Sequence, residues 1–436
     1  MAEVDRGASE SRERNERRPR IIMVTLIVAL LFAASLSLLP GPASDIPPEE
    51  ISPTPARTAY DVHVPISIDG NAEFNHTNFP NNGVVSGNGS ASNPYIIEGW
   101  NINVGGGPVD GIRIQNTNAY FIVRDCYVHN GGNFYNGVNL TTCVNGILDN
   151  NTCLNNQYGI FLTSASNNTV SNNICNSNVF HGIYLVLSSS NALTNNNCSS
   201  NSQVGIWLSA STGNTIKNNS CLSNPAGMRL QTSSNSNTLS DNNCSSNNLY
   251  GIGLYSSSNN NTLSNNTCNS NTQYGMRLAT SSSNNIISNN ICNLNTQNGM
   301  RLSASSSNVI SWNEVCNNTL QGVYIVSGST NRIWNNTFIG NNGGGIQAQQ
   351  DTGTNWWNTS GTPHGYGNYW SDWTTPDADF DGIVDWSYNL TGVAGAKDWY
   401  PLTTSFPPIP EFSELIIPIV GLMLIALIFN RAREKP

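Results

Sequence analysis

Gly159-Ile160-Phe161-Leu162-Thr163-Ser164-Ala165-Ser166-Asn167-Asn168-Thr169-Val170-Ser171-Asn172-Asn173-Ile174-Cys175 is one turn of the motif that decides the fold. A unit of 22 to 24 residues returns about eleven times between Gly111 and Gly345. Its markers are Gly111, Gly137, Gly159, Gly182, Gly205, Gly227, Gly251, Gly275, Gly299, Gly322 and Gly345. Each glycine is followed by apolar, variable and apolar residues, as in Gly299-Met300-Arg301-Leu302. That is the period-two pattern of a strand with one buried face, and it predicts one strand per unit.

A second apolar column runs through Val170, Leu193, Ile216, Leu239, Leu263, Ile287, Ile310 and Ile333. Two residues before each member stands an Asn, from Asn168 to Asn331, and three residues after it another, from Asn173 to Asn336. Asn tolerates the left-handed conformation of a sharp corner, and its amide can bond to the same amide in the next coil. The columns predict an all-β, single-stranded right-handed parallel β-helix, a solenoid of about eleven coils. Coils about 4.8 Å apart give a rod on the order of 50 Å long with a narrow tubular core. Leucine-rich repeats share the period but need a strict L-x-x-L-x-L frame, and helical repeats are longer.

Cysteine follows the same period. Cys153, Cys175, Cys198, Cys221, Cys244, Cys268 and Cys292 recur with the repeat, Cys316 is placed next after a one-residue insertion, and Phe338 takes the position in the last coil. Disulfides are the usual expectation for an exported chain with ten cysteines. A file of small buried thiols fits the periodicity better, since no CxxC or Cys/His metal spacing occurs. Charged residues make up only 10% of the chain, with a net charge of −9, which excludes a basic nucleic-acid binder and a charge-rich disordered tail.

The flanks divide the rest. Residues 1–43 carry Arg12, Arg14, Arg17, Arg18 and Arg20 before an apolar run and then Pro40, Gly41 and Ala43, the order of a secretory signal peptide; an uncleaved N-terminal anchor is the second reading. A Pro-rich linker covers 44–60, an N-terminal cap 61–110, the repeats 111–350, and an aromatic C-terminal cap with an Asp-rich loop 351–405. Residues 406–436 hold Pro410-Glu411-Phe412, an apolar stretch, and Arg431, Arg433 and Lys435. This resembles the PEF-type sorting signal of archaeal surface proteins, which implies an archaeosortase-type processing enzyme as a partner. A plain transmembrane segment is the alternative. A short apolar helix is therefore expected at each terminus, with the body outside the cell and anchored to the membrane. Fourteen Asn-x-Ser/Thr sequons, among them Asn75, Asn139, Asn335 and Asn389, permit glycosylation there.

The repeats, of the form G-I-x-L-x-x-S-x-x-N-x-I-x-N-N-x-C, resemble those of the NosD-like, carbohydrate-binding and sugar-hydrolase class of right-handed β-helices. Pro65-Ile66-Ser67-Ile68-Asp69-Gly70-Asn71 and Asn93-Pro94-Tyr95-Ile96-Ile97-Glu98-Gly99-Trp100 are similar to the opening segment of archaeal surface members. Gly367-Asn368-Tyr369-Trp370-Ser371-Asp372 and Asp398-Trp399-Tyr400-Pro401-Leu402 are similar to their closing segment. The resemblance covers about residues 60 to 403 and is specific for fold, since the class mixes enzymes, binding proteins and proteins of unknown role. NosD-like copper maturation, which the resemblance raises, wants exposed Met, His or Cys; Met228, Met276 and Met300 instead occupy the inward position after glycine.

Two surface features carry chemistry. The variable residue of each first strand faces outward, giving a stripe Arg113, Asn139, Phe161, Tyr184, Trp207, Arg229, Gly253, Arg277, Arg301, Tyr324 and Gln347. Three aromatics in a row match the repeat of a sugar chain, and stacked arginines cost stability unless an anion joins them. Phe161, Tyr184, Trp207, Arg229, Arg277, Arg301 and Tyr324 are thus expected to form an elongated groove for polysaccharide, acidic or sulfated; plain exterior stacking is the other reading. The second feature is Asp377, Asp379, Asp381 and Asp385, at loop positions 1, 3, 5 and 9 with Gly382 at 6, a spacing that wraps Ca2+. Tyr388 stands where an EF-hand places its bidentate Glu. Six tryptophans of this region, Trp356, Trp357, Trp370, Trp373, Trp386 and Trp399, are expected to cover the open end of the helix.

Catalysis finds little support. Asp149, Asp241 and Glu314 are the only carboxylates between Asn130 and Gln350, three to seven coils apart. A glycosidase needs two carboxyls within roughly 5 to 9.5 Å, whereas three coils separate them by about 14 Å. His181 and Lys217 are expected on solvated corners. The chain is read as a non-catalytic surface protein binding or organising envelope or environmental glycans, with a polysaccharide lyase or hydrolase and a structural envelope spacer as alternatives.

Overall fold

The computed structural model describes residues 60–405 except 106, 108, 360–365, 374–375 and 393–394. The segments read as signal, most of the linker, and sorting signal, with both expected terminal helices, lie outside the described residues.

The body is a parallel β-solenoid of the right-handed type. The Gly-apolar-x-apolar runs stack into one sheet of thirteen strands, eleven from the repeating units, flanked by Ile66–Asp69 and Thr391–Gly392. The Asn-x-apolar runs form a second sheet of twelve strands, closed at its N-terminal edge by Val84–Ser86, which pairs antiparallel with Tyr95–Glu98. A third face has four strands at one end and three at the other, joined by single bridges from Thr152 to Glu314. Each unit thus contributes two strands and a bridge, where the glycine-centred pattern promised one strand. The short segments escape a period-two reading because three residues hold only one inward side chain.

Register is kept coil after coil: Ile160 pairs with Ile183, Ile183 with Ile206 and Ile206 with Met228. Four files of side chains fill the tube: the two apolar columns of the first strand, the Val170-to-Ile333 column, and the cysteines. Nearly all are fully buried, including Met228, Met276 and Met300. Burying each large aliphatic group contributes about 1.5–3 kcal/mol. The glycines are required by close approach: a Cβ on Gly182 would lie 2.7 Å from the carbonyl oxygen of Gly205 and 2.8 Å from Cys198 Cβ.

The cysteine file runs from Cys153 to Cys292, all free and fully buried. Its next member is Val315, because Glu314 bridges to Ile291; Cys316 falls on the opposite side of the strand. The expected one-residue insertion is wrong: position in the file is counted from the ladder Asn two residues earlier, Asn313, and a shift of one residue reverses the face. Val315 then aligns with Phe338 and Phe338 with Trp370, whose ring stacks between Phe338 at 4.5 Å and Tyr388 at 4.2 Å. Burial pushes the Cys198, Cys221 and Cys268 thiols well above their ordinary value, and at Cys153 the hydrogen bond with Cys175 does so first and burial second.

Corners are held by asparagine ladders. Asn196 donates its backbone N–H and its Nδ2 to Asn219 Oδ1, both at 2.9 Å, and Nδ2 also to the Val170 carbonyl at 2.8 Å. The same pattern repeats from Asn151 to Asn368 and from Asn168 to Asn355. A third ladder, from Asn156 to Asn341, follows the cysteine file by three residues. The left-handed backbone falls one residue before the ladder Asn, at Asn172, Asn195, Asn218 and Asp241 (φ 55 to 57°), so corner strain and amide bonding belong to adjacent residues.

The ends are plugged. Phe74 is buried at the N-terminal end, stacked on Tyr95 at 4.6 Å. At the other end Trp357 and Trp370 are buried, but Trp386 and Trp399 are 68% and 60% exposed, so only some of the six tryptophans cover the tube.

Candidate functional site

The outward stripe lies on the thirteen-stranded sheet. Parallel pairing puts Phe161 beside Tyr184, Tyr184 beside Trp207, Trp207 beside Arg229, Arg277 beside Arg301 and Arg301 beside Tyr324. The next position is Gln349, not Gln347. Gln347 is buried and ends the third ladder, accepting from Asn341 and donating to Asp372 at 2.6 Å. The turn Asn341–Gly344 inserts the residues that shift the register.

Neighbouring rings stack on one another along the axis: Phe161 on Tyr184 at 5.4 Å and Tyr184 on Trp207 at 4.9 Å, both at 28°. Rings lying flat on the sheet could not approach so closely without edge-to-edge collision. Their faces are therefore used by one another, and the stripe presents ring edges. Beyond Trp207 guanidinium groups alternate with rings. Arg229 lies 4.9 Å from the Trp207 centroid and 5.0 Å from that of Tyr255; Arg277 lies 5.4 Å from Tyr255 and 5.7 Å from Tyr274. Arg301 lies 5.3 Å from Tyr274 and 5.7 Å from Tyr324, and its Nη1 donates to the Tyr274 hydroxyl at 2.9 Å. The stacked arginines are thus interleaved with tyrosine, which separates the guanidinium groups and offsets part of their repulsion without neutralising their charge.

Tyr255 and Tyr274 come from columns flanking the stripe and were not singled out by sequence. Tyr250, Tyr274, Val204 and Ala226 form a small buried cluster outside the sheet, packed by Trp207 and Tyr255. Gly253 makes room for it: a Cβ there would lie 2.5 Å from Tyr250 and 2.6 Å from Tyr255. The residue before each marker glycine was a readable signal, since Tyr158, His181, Tyr250 and Tyr274 all hold it. His181 is not on a solvated corner: it is buried, parallel to Tyr158 at 5.2 Å and edge-on to Trp207 at 4.7 Å. Burial first, then the charge of Arg229, holds its pKa down at about 3, so it stays neutral.

The carboxylates of the repeats are elsewhere and each is engaged. Asp149 accepts from Ser171 at 2.6 Å, Asp241 pairs with Lys217 at 3.5 Å, and Glu314 accepts from Asn293 at 2.6 Å. Asp351, just past the repeats, accepts from the Tyr324 hydroxyl at the end of the stripe.

In the C-terminal loop, Asp377, Asp379 and Asp385 offer oxygens within 4.8 Å of one another. Asp381 is turned to its own backbone, accepting from the Ile383 N–H at 2.8 Å. Tyr388 is buried and donates to Asp372 at 2.7 Å, which removes it from the loop's donor set.

The winding and its exterior ladder define a parallel β-solenoid with a periodic, ring-and-guanidinium surface stripe. The chain belongs to the NosD family: the family model described as "Periplasmic copper-binding protein (NosD)" matches residues 66–243 and 224–375. No curated protein matches it. Among solved structures it is similar to the catalytic domain of a GH87 α-1,3-glucanase in complex with nigerose, at 14% identity and a TM-score of 0.50, covering 69% of this chain and 64% of that one. It is also similar to a periplasmic alginate epimerase (13%, TM-score 0.42, 60% and 77% covered). A third is the A-module of a mannuronan C-5 epimerase from Azotobacter vinelandii (15%, TM-score 0.46, 60% and 81% covered). These likenesses are of fold.

Copper, which the family description implies, needs soft or imidazole donors that an incoming ion can reach. Among the described residues all ten cysteines and three methionines are buried, and the only group of three or more His, Cys, Asp and Glu ligands is the all-oxygen Asp cluster. These residues do not fit a copper site.

Proposed function

We propose that this protein is an exported, envelope-anchored β-solenoid that binds or organises polysaccharide along the Phe161-to-Tyr324 stripe, without catalysis. One observation carries the reading: seven side chains, four aromatic and three cationic, stand on one face in register at the coil step, with a single gap at Gly253. A polymer whose units recur at a similar step meets the same chemistry at each coil. The glucanase domain in complex with nigerose has the same winding, so the architecture accommodates a saccharide. The ring stacking implies recognition by hydrogen bonds and charge more than by sugar packing on an open aromatic face.

Export and anchoring rest on the terminal segments, with 1–43 as signal or anchor and 406–436 as sorting or membrane segment. We further propose that Asp377, Asp379 and Asp385, with Asp381 turning toward the ion, take a structural Ca2+.

The test is a glycan array probed with the full chain, wild type and carrying Trp207→Ala or Arg301→Ala. Selective binding that both substitutions weaken supports the proposal. Binding that neither changes sinks the stripe as its location, and no binding at all leaves a structural spacer. Release of reducing ends from a bound polysaccharide would replace the non-catalytic reading with a lyase or hydrolase.

A further inference from the structure

The described residues include sixteen Asp and Glu but only eight Lys and Arg, so a cation should find a carboxylate easily. Two of the four off the stripe do: Arg124 lies 2.7 Å from Glu98 and Lys217 lies 3.5 Å from Asp241, while Arg332 and Lys397 each lie over a single tryptophan ring at the C-terminal end. Arg229, Arg277 and Arg301 have none within 4.0 Å, although they stand within three coil steps of one another. They are half-buried, and Nε of Arg229, Nε of Arg277 and Nε1 of Trp207 are buried without a hydrogen-bond partner. Part of the desolvation cost of these groups is therefore already met within the folded chain, and their charge is uncompensated.

Trp207, Tyr255, Tyr274 and Tyr324 flank the guanidinium groups, which restricts their planes; Nη1 of Arg301 is taken by the Tyr274 hydroxyl, while the Nη atoms of Arg229 and Arg277 have no hydrogen-bond partner among the described residues. A planar fork held in one orientation is pre-organised for a carboxylate or sulfate, and less side-chain entropy is lost on binding. Arg277 and Arg301 are one coil apart, about 4.8 Å, and Arg229 and Arg277 two coils, about 10 Å. A row of this kind fits a polymer with anionic groups on successive units and has little to offer a neutral one. His181 stays neutral, so along the stripe from Phe161 to Tyr324 the cationic character is confined to the three arginines.

We infer that the Arg229–Arg277–Arg301 segment of the stripe is an anion-binding subsite selecting acidic polysaccharide, with carboxylate or sulfate groups bound at the guanidinium edges. This rests on the polysaccharide reading above and adds the ligand's charge to it. The full chain is titrated with polygalacturonate and dextran sulfate, and with their uncharged counterparts, fully methyl-esterified polygalacturonate and dextran. Binding to one or both anionic polymers, weakening with salt and absent for the neutral pair, is the expected result; which anionic polymer binds distinguishes carboxylate from sulfate. Arg277→Gln should weaken it by about tenfold, the loss of a charge-assisted hydrogen bond. Arg277→Lys, which keeps the charge without the fork, should fall between. Thermal melting of both variants matching wild type shows that the solenoid is intact; if Arg277→Gln alone melts early, the comparison is made with Arg277→Lys. Equal binding of neutral polymers, or no effect of folded Arg277 variants, overturns the anionic subsite while leaving polysaccharide binding in place. Binding of none of the four overturns both.

Discussion

Asn368 donates its backbone N–H and its side-chain Nδ2 to the same oxygen, Oδ2 of Asp398, at 2.6 and 3.2 Å. Every earlier rung of that ladder gives the same two hydrogens to the next Asn. An Asn rung must pass its own donors onward, so an endless ladder has no natural stop. A carboxylate accepts without donating and closes it. Asp398 also takes Trp370 Nε1 at 3.0 Å and, on Oδ1, the Tyr400 N–H at 3.1 Å.

This closure gives a pH dependence. Burial raises the Asp398 pKa to about 7, against the hydrogen bonds from Trp370, Asn368 and Tyr400 that pull it down. A carboxyl whose folded pKa lies above its unfolded value near 3.8 contributes stability that is present below that value and lost as pH rises through about 7. Denaturant melts of wild type should show the unfolding free energy declining between about pH 4 and 7 and levelling off above, with Asp398→Asn removing that share of the slope. Asp398→Ala, which leaves the ladder end unpaired, should cost about 1–3 kcal/mol at either pH. A slope unchanged by Asp398→Asn would show that the group does not titrate in this range.

The middle of the ladder should be more sensitive than its end. Asn242 accepts from Asn219 and donates to Asn266 Oδ1 and to the Ile216 carbonyl, both at 2.9 Å. Asn242→Leu leaves the buried Asn219 N–H without its acceptor and removes one donor each from the Ile216 carbonyl and Asn266 Oδ1, on the two neighbouring coils, with each orphaned group costing about 1–3 kcal/mol. The expected outcome is a loss of at least about 3 kcal/mol, or a second unfolding transition as the array splits into two blocks. A single transition within 1 °C of wild type would show that the amide rungs are not structural.

Much of this was legible because the repeat makes each column its own control. The glycine, Ile/Leu, Cys and two of three Asn columns were readable by alignment, and the structure stacks them. The third ladder, three residues after each cysteine, is written in the sequence in the same way. What the sequence hid was lateral. Nothing in Gly253 announces that Tyr255 will fold across it between Arg229 and Arg277, since that contact depends on coil-to-coil offset. The stripe's aromatics were likewise visible while the direction of their faces was not.

Cys316 shows how such counting fails and how to test it. Counted from glycine it joins the thiol file; counted from Asn313 it does not, and Val315 does. Cys316 is buried but outside the file, so Cys316→Ser should cost less than a substitution in the file, about 1 kcal/mol or below. Cys244→Ser, which puts a hydroxyl into the fully buried file, should cost about 1–3 kcal/mol. Thermal melts of the two variants decide; equal losses would return Cys316 to the core.

The Asp-rich loop gives the last prediction. The Asp379 carboxyl is pushed up by desolvation first and then by the charges of Asp381 and Asp377, the condition a cation would relieve. The loop's Val384 N–H donates to the Pro401 carbonyl at 2.7 Å, and Tyr400 and Pro401 follow Asp398, the ladder's closing carboxylate. A cation should therefore stiffen the C-terminal cap. At a calcium concentration 100 times its dissociation constant the gain is about 2.7 kcal/mol, felt as a few degrees in the cap's melting. Tryptophan fluorescence should report it through Trp386 and Trp373, whose Nε1 donates to the Trp386 carbonyl at 3.0 Å. Asp379→Asn should abolish the calcium effect without altering the melt in chelator. Identical melts in calcium and in chelator for the wild-type chain would mean that the three carboxylates are held apart by water alone.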